Sequence, residues 1–151
     1  MITYAVEPWA QYLADCGELW REHYDEIAGD KARMPMRPDA ARFETLEAAG
    51  QLQIVVAREA GRMVGYMLFV VTPHPHYADV LCGFEDAYFL SMPYRKGWTG
   101  VRLIRESLRC LQARGVQRWF IHTKKAKDMG RILQFLGGAH ADEIYSGWIG
   151  D

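Results

Sequence analysis

Tyr94-Arg95-Lys96-Gly97-Trp98-Thr99-Gly100 places two glycines and two cations between a β-rich run, 84–90, and a run of helical spacing that starts at Val101. Where a strand stops at such a turn and feeds a helix, unpaired backbone N–H groups and the positive helix end converge on one point, which suits a phosphate. Gly97 and Gly100 permit backbone angles or close approaches denied to other residues, and Arg95 and Lys96 add full charge beside the amide donors. The alternative is an ordinary turn, because many helices begin after glycine for steric reasons alone. The surrounding charge bears on the choice. Residues 95–131 hold eleven Lys or Arg against only Glu106 and Asp128, a local balance of plus nine, whereas the other 114 residues stand at minus ten. One segment is built to meet an anion.

Other residues with chemical potential are scattered. Glu85 and Asp86 adjoin on the strand before the turn, so they point to opposite faces, and Tyr88 and Leu90 share the face of Asp86. His74 and His76 alternate in an extended segment and can share a face near Tyr77, and near His23-Tyr24 of the first helix. With no third ligand at recognisable spacing, no metal site is expected. Cys16, Cys82 and Cys110 are odd in number and form no Cys-x-x-Cys pair, so neither a disulfide framework nor a zinc knuckle is indicated and a reducing compartment suits them.

A chain of 151 residues, half apolar and a quarter charged, is about one ordinary globular domain, 1–151. No apolar run approaches the roughly 20 residues that span a bilayer, and no basic-then-apolar leader opens the chain, so a soluble, cytoplasmic protein is expected. Spacing predicts a strand over 2–6, a helix from Pro8 to Ile27, a loop over 29–38, and a short helix capped by Asp39 and stopped at Gly50. A meander follows: 51–57, a hairpin turn at 59–62, and 63–71. Two prolines in 72–77 are read as forbidding ladder pairing there. After the strand and turn come a helix to Gly115, a strand over 116–121, a helix ending at Gly137-Gly138, and a final edge strand or hairpin over 139–149. The helix from Pro8 turns Trp9, Tyr12, Leu19 and Trp20 inward and Asp15, Glu18, Glu22 and Glu26 outward.

A dinucleotide or Walker-type reading fails on glycine spacing. Instead, the order of elements and the run from Ala87 to Gly100 resemble the GNAT superfamily of acetyl-CoA-dependent N-acetyltransferases, whose signature at this junction is Arg/Gln-x-x-Gly-x-Gly/Ala. Arg95 matches the first position and Gly100 the last. Trp98 replaces the middle glycine, with Gly97 one place earlier. Small acyltransferase-like proteins of phages and prophages are similar around Tyr-Arg-Lys-Gly and His-Thr-Lys.

The resemblance implies an α/β (α+β) fold with a mixed, mainly antiparallel central sheet flanked by helices. It implies acetyl-CoA as cosubstrate, with the diphosphate held across Arg95, Lys96, Gly97, Trp98, Thr99, Gly100 and Val101. The pantetheine arm would lie along the backbone of Phe89, Leu90 and Ser91, and Thr123 and Lys124 would line the other wall. Acyl transfer needs a neutral amine, whereas an alkyl ammonium with a pKa near ~10.4 is protonated at neutral pH. A general base is therefore useful, and Asp86 is the candidate, with a plain solvent-facing acid as the alternative. Where many members place a proton-donating tyrosine, this chain has Leu133, and Tyr145, His122 or water would replace it. Substrate contacts are expected from His23, Tyr24, His74, His76 and Tyr77.

The acceptor is expected to be a small-molecule or lysine amine, with a homodimer through terminal strands as a further expectation. Two other classes stay open. The basic stretch can grip nucleic acid, although no stacking motif interleaves it apart from Trp98 and Trp119, so nucleic acid is not the favoured partner. A catalytically degenerate coenzyme-binding domain is motivated by the altered glycine and the missing tyrosine.

Overall fold

The computed structural model describes residues 1–125 and 127–149, in two compact units, Met1–Ile121 and His122–Asp151. The first unit is built on a five-stranded sheet in the order β1-β2-β3-β4-β5: β1 (Ile2–Val6), β2 (Leu52–Glu59), β3 (Arg62–His74), β4 (Tyr77–Leu90) and β5 (Arg118–Phe120). The first four strands pair antiparallel and β5 joins β4 in parallel. The mixed, mainly antiparallel sheet that the resemblance implies is the one observed.

Helices α1 (Trp9–Asp15), α2 (Gly17–Ile27) and α3 (Ala40–Ala48) precede β2. The single helix expected from Pro8 is broken at Cys16, which ends α1 by donating its N–H to Tyr12 O (3.0 Å) and begins α2 by accepting from Trp20 N (2.8 Å). Gly17, a poor helix former, stands at the break. The apolar stripe survives the interruption. Trp9, Tyr12, Cys16 and Leu19 bury against Ile54, Val56, Tyr66, Leu68 and Phe89 of the sheet. Asp39 caps α3 as expected, its carboxylate accepting from Arg42 N at 3.0 Å.

The turn between β2 and β3 has two central residues with positive φ, Ala60 at 48° and Gly61 at 82°, the geometry that matches strand twist. The β3–β4 hairpin corrects the sequence reading of 72–77. Pairing continues through Pro73, opposite Leu81, to His74 opposite Tyr77. Val71 N still bonds Gln51 O on the β2 side, and β2 begins at Leu52. Alternation turns Pro73 to that same side just past the partner, so its missing N–H costs no ladder bond.

Helix α4 (Thr99–Ala113) covers the opposite sheet face through Leu103, Ile104 and Leu111. Gln53 Nε2 reaches across the core to Ser107 O at 3.0 Å. Arg114 ties the end of this helix to β2, donating to Leu52 O (3.1 Å) and Gly50 O.

The second unit holds α5 (Gly130–Phe135), whose start is fixed by Asp128 Oδ1 accepting from Gly130 N at 2.8 Å. The strand or hairpin expected over 139–149 is not among the elements of the described residues. Ile144, Tyr145 and Ile149 remain exposed. Among the described residues no helix is long and apolar enough to cross a membrane.

Candidate active site

The site begins where β5 ends and β4 runs on alone on that side. The two pair only at Cys82–Phe84 against Arg118–Phe120, and the Phe84 and Phe120 rings stack at 4.9 Å. Past that point the β5 side of β4 has no ladder partner among the described residues. Ser91 N donates to Val64 O at 2.9 Å, so Ser91 and, by alternation, Phe89 turn their amides toward β3, while Leu90 and Tyr88 turn theirs to the open side. Of the three residues expected to offer backbone groups to a ligand, Leu90 faces the gap, and Phe89 and Ser91 do not.

A bulge lies within this stretch. Leu68 pairs with Ala87 and Phe69 with Glu85, so Asp86 is the extra residue. The expected common face of Asp86, Tyr88 and Leu90 is thereby broken. Tyr88 and Leu90 point to α4, whereas the Asp86 charge acts on the Tyr66 phenol, on the α1–α2 face, and helps raise its pKa behind the larger effect of burial. Asp86 itself is solvent-accessible, and desolvation raises its carboxyl above the ordinary aspartate value.

Beyond β4 a short 3-10 turn, Met92–Tyr94, leads to Gly97, whose φ of +82° is the left-handed conformation glycine tolerates. The α4 ladder opens with Arg102 N donating to Trp98 O at 2.9 Å, so the N–H groups of Thr99, Gly100 and Val101 lie outside it at the positive helix end. Gly100 owes its identity to packing: a Cβ there would sit 2.7 Å from Tyr88 Oη. The Tyr88 phenol is pushed up to about 12, chiefly by burial. Trp98 is exposed beside this turn, as is Lys96.

Arg95 does not extend toward the open turn. Its Nε donates to Leu90 O at 2.7 Å, its Nη1 to Glu26 Oε1 at 2.7 Å and its Nη2 to Glu26 Oε2, while the guanidinium lies 5.2 Å from the Phe89 ring centroid. Its pKa is raised, first by the Glu26 hydrogen bond. Ser91 Oγ donates to Glu22 Oε2 at 3.0 Å. Glu22 and Glu26, read from the sequence as solvent-facing, thus meet the end of β4. Their spacing from buried Leu19, three and seven residues on, was the available signal.

His23 belongs to the same stripe of α2. Its Nδ1 lies 2.8 Å from Tyr66 Oη and its ring stacks on Phe89 at 4.8 Å. Tyr24 turns away to anchor the neighbouring loop, donating to Met34 O (2.9 Å) and Lys31 O (3.3 Å). His74, His76 and Tyr77 cluster at the hairpin tip, with the Tyr77 ring 4.8 Å from that of His74. Nine residues of β4 separate that tip from Asp86, about 30 Å along a strand, so the structure does not bring these residues to His23.

The remaining candidates lie in the second unit. Thr123 Oγ1 donates to Asp128 Oδ1 at 3.2 Å, Lys124 bridges to Lys127, and exposed Tyr145 donates to Glu143 Oε2 at 2.9 Å. His122 begins that unit, and Leu133 is buried. Among the described residues no three His, Cys, Asp or Glu side chains gather as metal ligands.

Comparison with solved structures finds this architecture repeatedly. A ribosomal-protein-alanine N-acetyltransferase from Brucella melitensis superposes with a TM-score of 0.76 at 20% identity, over 100% of this chain and 99% of that one. An aminoglycoside acetyltransferase from an uncultured soil metagenomic sample, solved with sisomicin, gives 0.71 at 13% identity over 99% and 95%. A predicted acetyltransferase from Clostridium acetobutylicum, solved with acetyl-CoA, gives 0.70 at 12% over 97% and 95%. At these identities the likeness is one of fold. No curated protein sequence matches the chain significantly. The model of the acetyltransferase (GNAT) family matches residues 13–132, a span that includes β4, β5 and the glycine turn, and the chain belongs to that family.

Proposed function

We propose that this acyltransferase moves an acetyl group from acetyl-CoA directly to an amine. The observation that carries this reading is the edge of β4, which is unpaired past Phe84 and runs from the Asp86 bulge through Leu90 toward the amides that open α4. An extended, amide-bearing arm can add to such an edge as a strand would, and an anionic end then meets Thr99, Gly100 and Val101 N–H groups beside Lys96. The residues present fit the coenzyme, whose contribution is an activated thioester.

The chain's own groups divide the remaining work. Leu90 N–H faces the gap and can hold a carbonyl oxygen there. Asp86, at the bulge, accepts the proton the acceptor ammonium must lose, directly or through water, before its nitrogen forms the new amide bond and the carbon–sulfur bond breaks. Leu133 has no proton to give the departing sulfur, so Tyr145, His122 or water supplies it. His23, stacked on Phe89 beside the bulge, borders the acceptor. The acceptor is a small-molecule or lysine amine, and both units serve one catalytic domain, a reading supported by a family match that runs across their boundary.

The test is calorimetry with acetyl-CoA followed by a thiol-release screen over an amine panel. Saturable coenzyme binding and acceptor-dependent thiol release are expected. Absence of coenzyme heat at millimolar concentration would reject the reading.

A further inference from the structure

The Arg95 fork is directed into the protein. Three of its N–H groups are committed, two to Glu26 and one to Leu90 O, and the pair is partly buried, with side-chain exposures of 31% for Arg95 and 22% for Glu26. Releasing the guanidinium to an outside anion would break a bidentate ion pair and reopen a backbone acceptor, both costly. The position that carries this arginine is therefore doing something other than waiting for a phosphate.

What it holds is informative. Leu90, like Tyr88, turns its backbone groups to the open side of β4, so its carbonyl and its N–H both point there. With Arg95 Nε on the carbonyl, that acceptor is engaged from the protein's own side and the N–H beside it remains on offer. The same side chain starts the turn that leads to Gly97 and α4, so one fork sets the end of the open edge and the beginning of the amide cradle. Glu26 fixes the fork from α2, which also meets the sheet through Leu19, through His23 on Tyr66 and Phe89, and through Glu22 on Ser91.

We propose that Glu26 is a positioning residue for coenzyme binding, acting through Arg95 to hold the Leu90 edge in its receptive form. This rests on the coenzyme reading above. It reverses the usual electrostatic expectation: Glu26 is a negative charge close to the place where a polyanion would dock, so deleting it should tighten binding if charge alone mattered. If Glu26 positions, deleting it weakens binding.

The experiment measures acetyl-CoA dissociation constants by calorimetry for the parent, Glu26→Ala, Arg95→Lys and the double variant, each checked by thermal melting. The expected result is a loss of about tenfold in each single variant, the size of one charge-assisted contact, with little further loss in the double, since both break one linkage. Arg95→Lys keeps the charge but not the fork, so it reports on the same proposal if Glu26→Ala melts early. Tighter or unchanged binding in Glu26→Ala, full affinity in Arg95→Lys, or losses that multiply in the double variant would overturn the assignment. A parent that does not bind acetyl-CoA would overturn the coenzyme reading itself, and this inference with it.

Discussion

Asp86 shows how one inserted residue changes a chemical assignment. As the extra residue of a bulge it sits with Tyr66 on the α1–α2 face and not with Tyr88, and desolvation raises its pKa. The ionised form is disfavoured in the fold, so Asp86 costs nothing below its unfolded value near ~3.9, and stability is lost as pH rises through the raised folded value. Asp86→Asn should therefore melt slightly higher than the parent at pH 7 and no higher at pH 3. The gain is small because solvent screens an accessible carboxylate. Turnover should fall by about a hundredfold or more with acetyl-CoA affinity kept within about twofold, and the parent's acid limb should lie above an ordinary aspartate. Equal turnover in variant and parent removes Asp86 from the chemistry. Its candidacy was legible in the sequence, since an acid beside the turn is visible there. The bulge was not, because register depends on what β3 offers opposite. Arg95 teaches the same lesson: its charge was visible, but its partner Glu26 lies 69 residues earlier and on a helix face read as solvated.

Elements were more readable than contacts. Asp39, Gly50 and the 59–62 turn carry local signals with local causes, and the structure follows them. Pro73 was misread because its tolerance depends on where β2 begins, a fact external to its own segment. The tail over 139–149 was read as an edge strand or hairpin, and no strand is assigned there among the described residues. The packing of α4 on β4 is testable at one crossing. Gly100→Ala forces its methyl toward Tyr88 Oη, 2.7 Å from the ideal Cβ, while the ring carbon behind that oxygen is 4.0 Å away. A loss of roughly 1–3 kcal/mol is expected from overpacking, and Tyr88→Phe in the same chain should restore most of it. Chemical denaturation of the four proteins decides this, and additive effects would show that Gly100 is required for its backbone alone.

At the scale of the whole chain, the surplus of plus nine over residues 95–131 overstates what is offered to a ligand. Arg95 is paired with Glu26, Arg109 with Glu106, and Arg114 with two backbone carbonyls. A stripe of cations built for a phosphodiester backbone would leave such forks outward. Duplex DNA should accordingly bind no more tightly than about 10⁻⁵ M near physiological salt, within the non-specific range, as read by fluorescence anisotropy. Tight binding that falls steeply with added salt would restore the nucleic-acid alternative.

The brevity of β5, three residues against the fourteen of β4, has one more consequence. Unsatisfied backbone groups along the rim of a sheet invite a neighbouring molecule to zip on, with fibres as the end point. Here the hungry stretch is only the end of β4 past Phe84, and the Asp86 bulge within it twists the edge away from the flat register another sheet would need. The protein can thus keep a row of amides hungry for a slender guest without offering it as a seed for self-assembly.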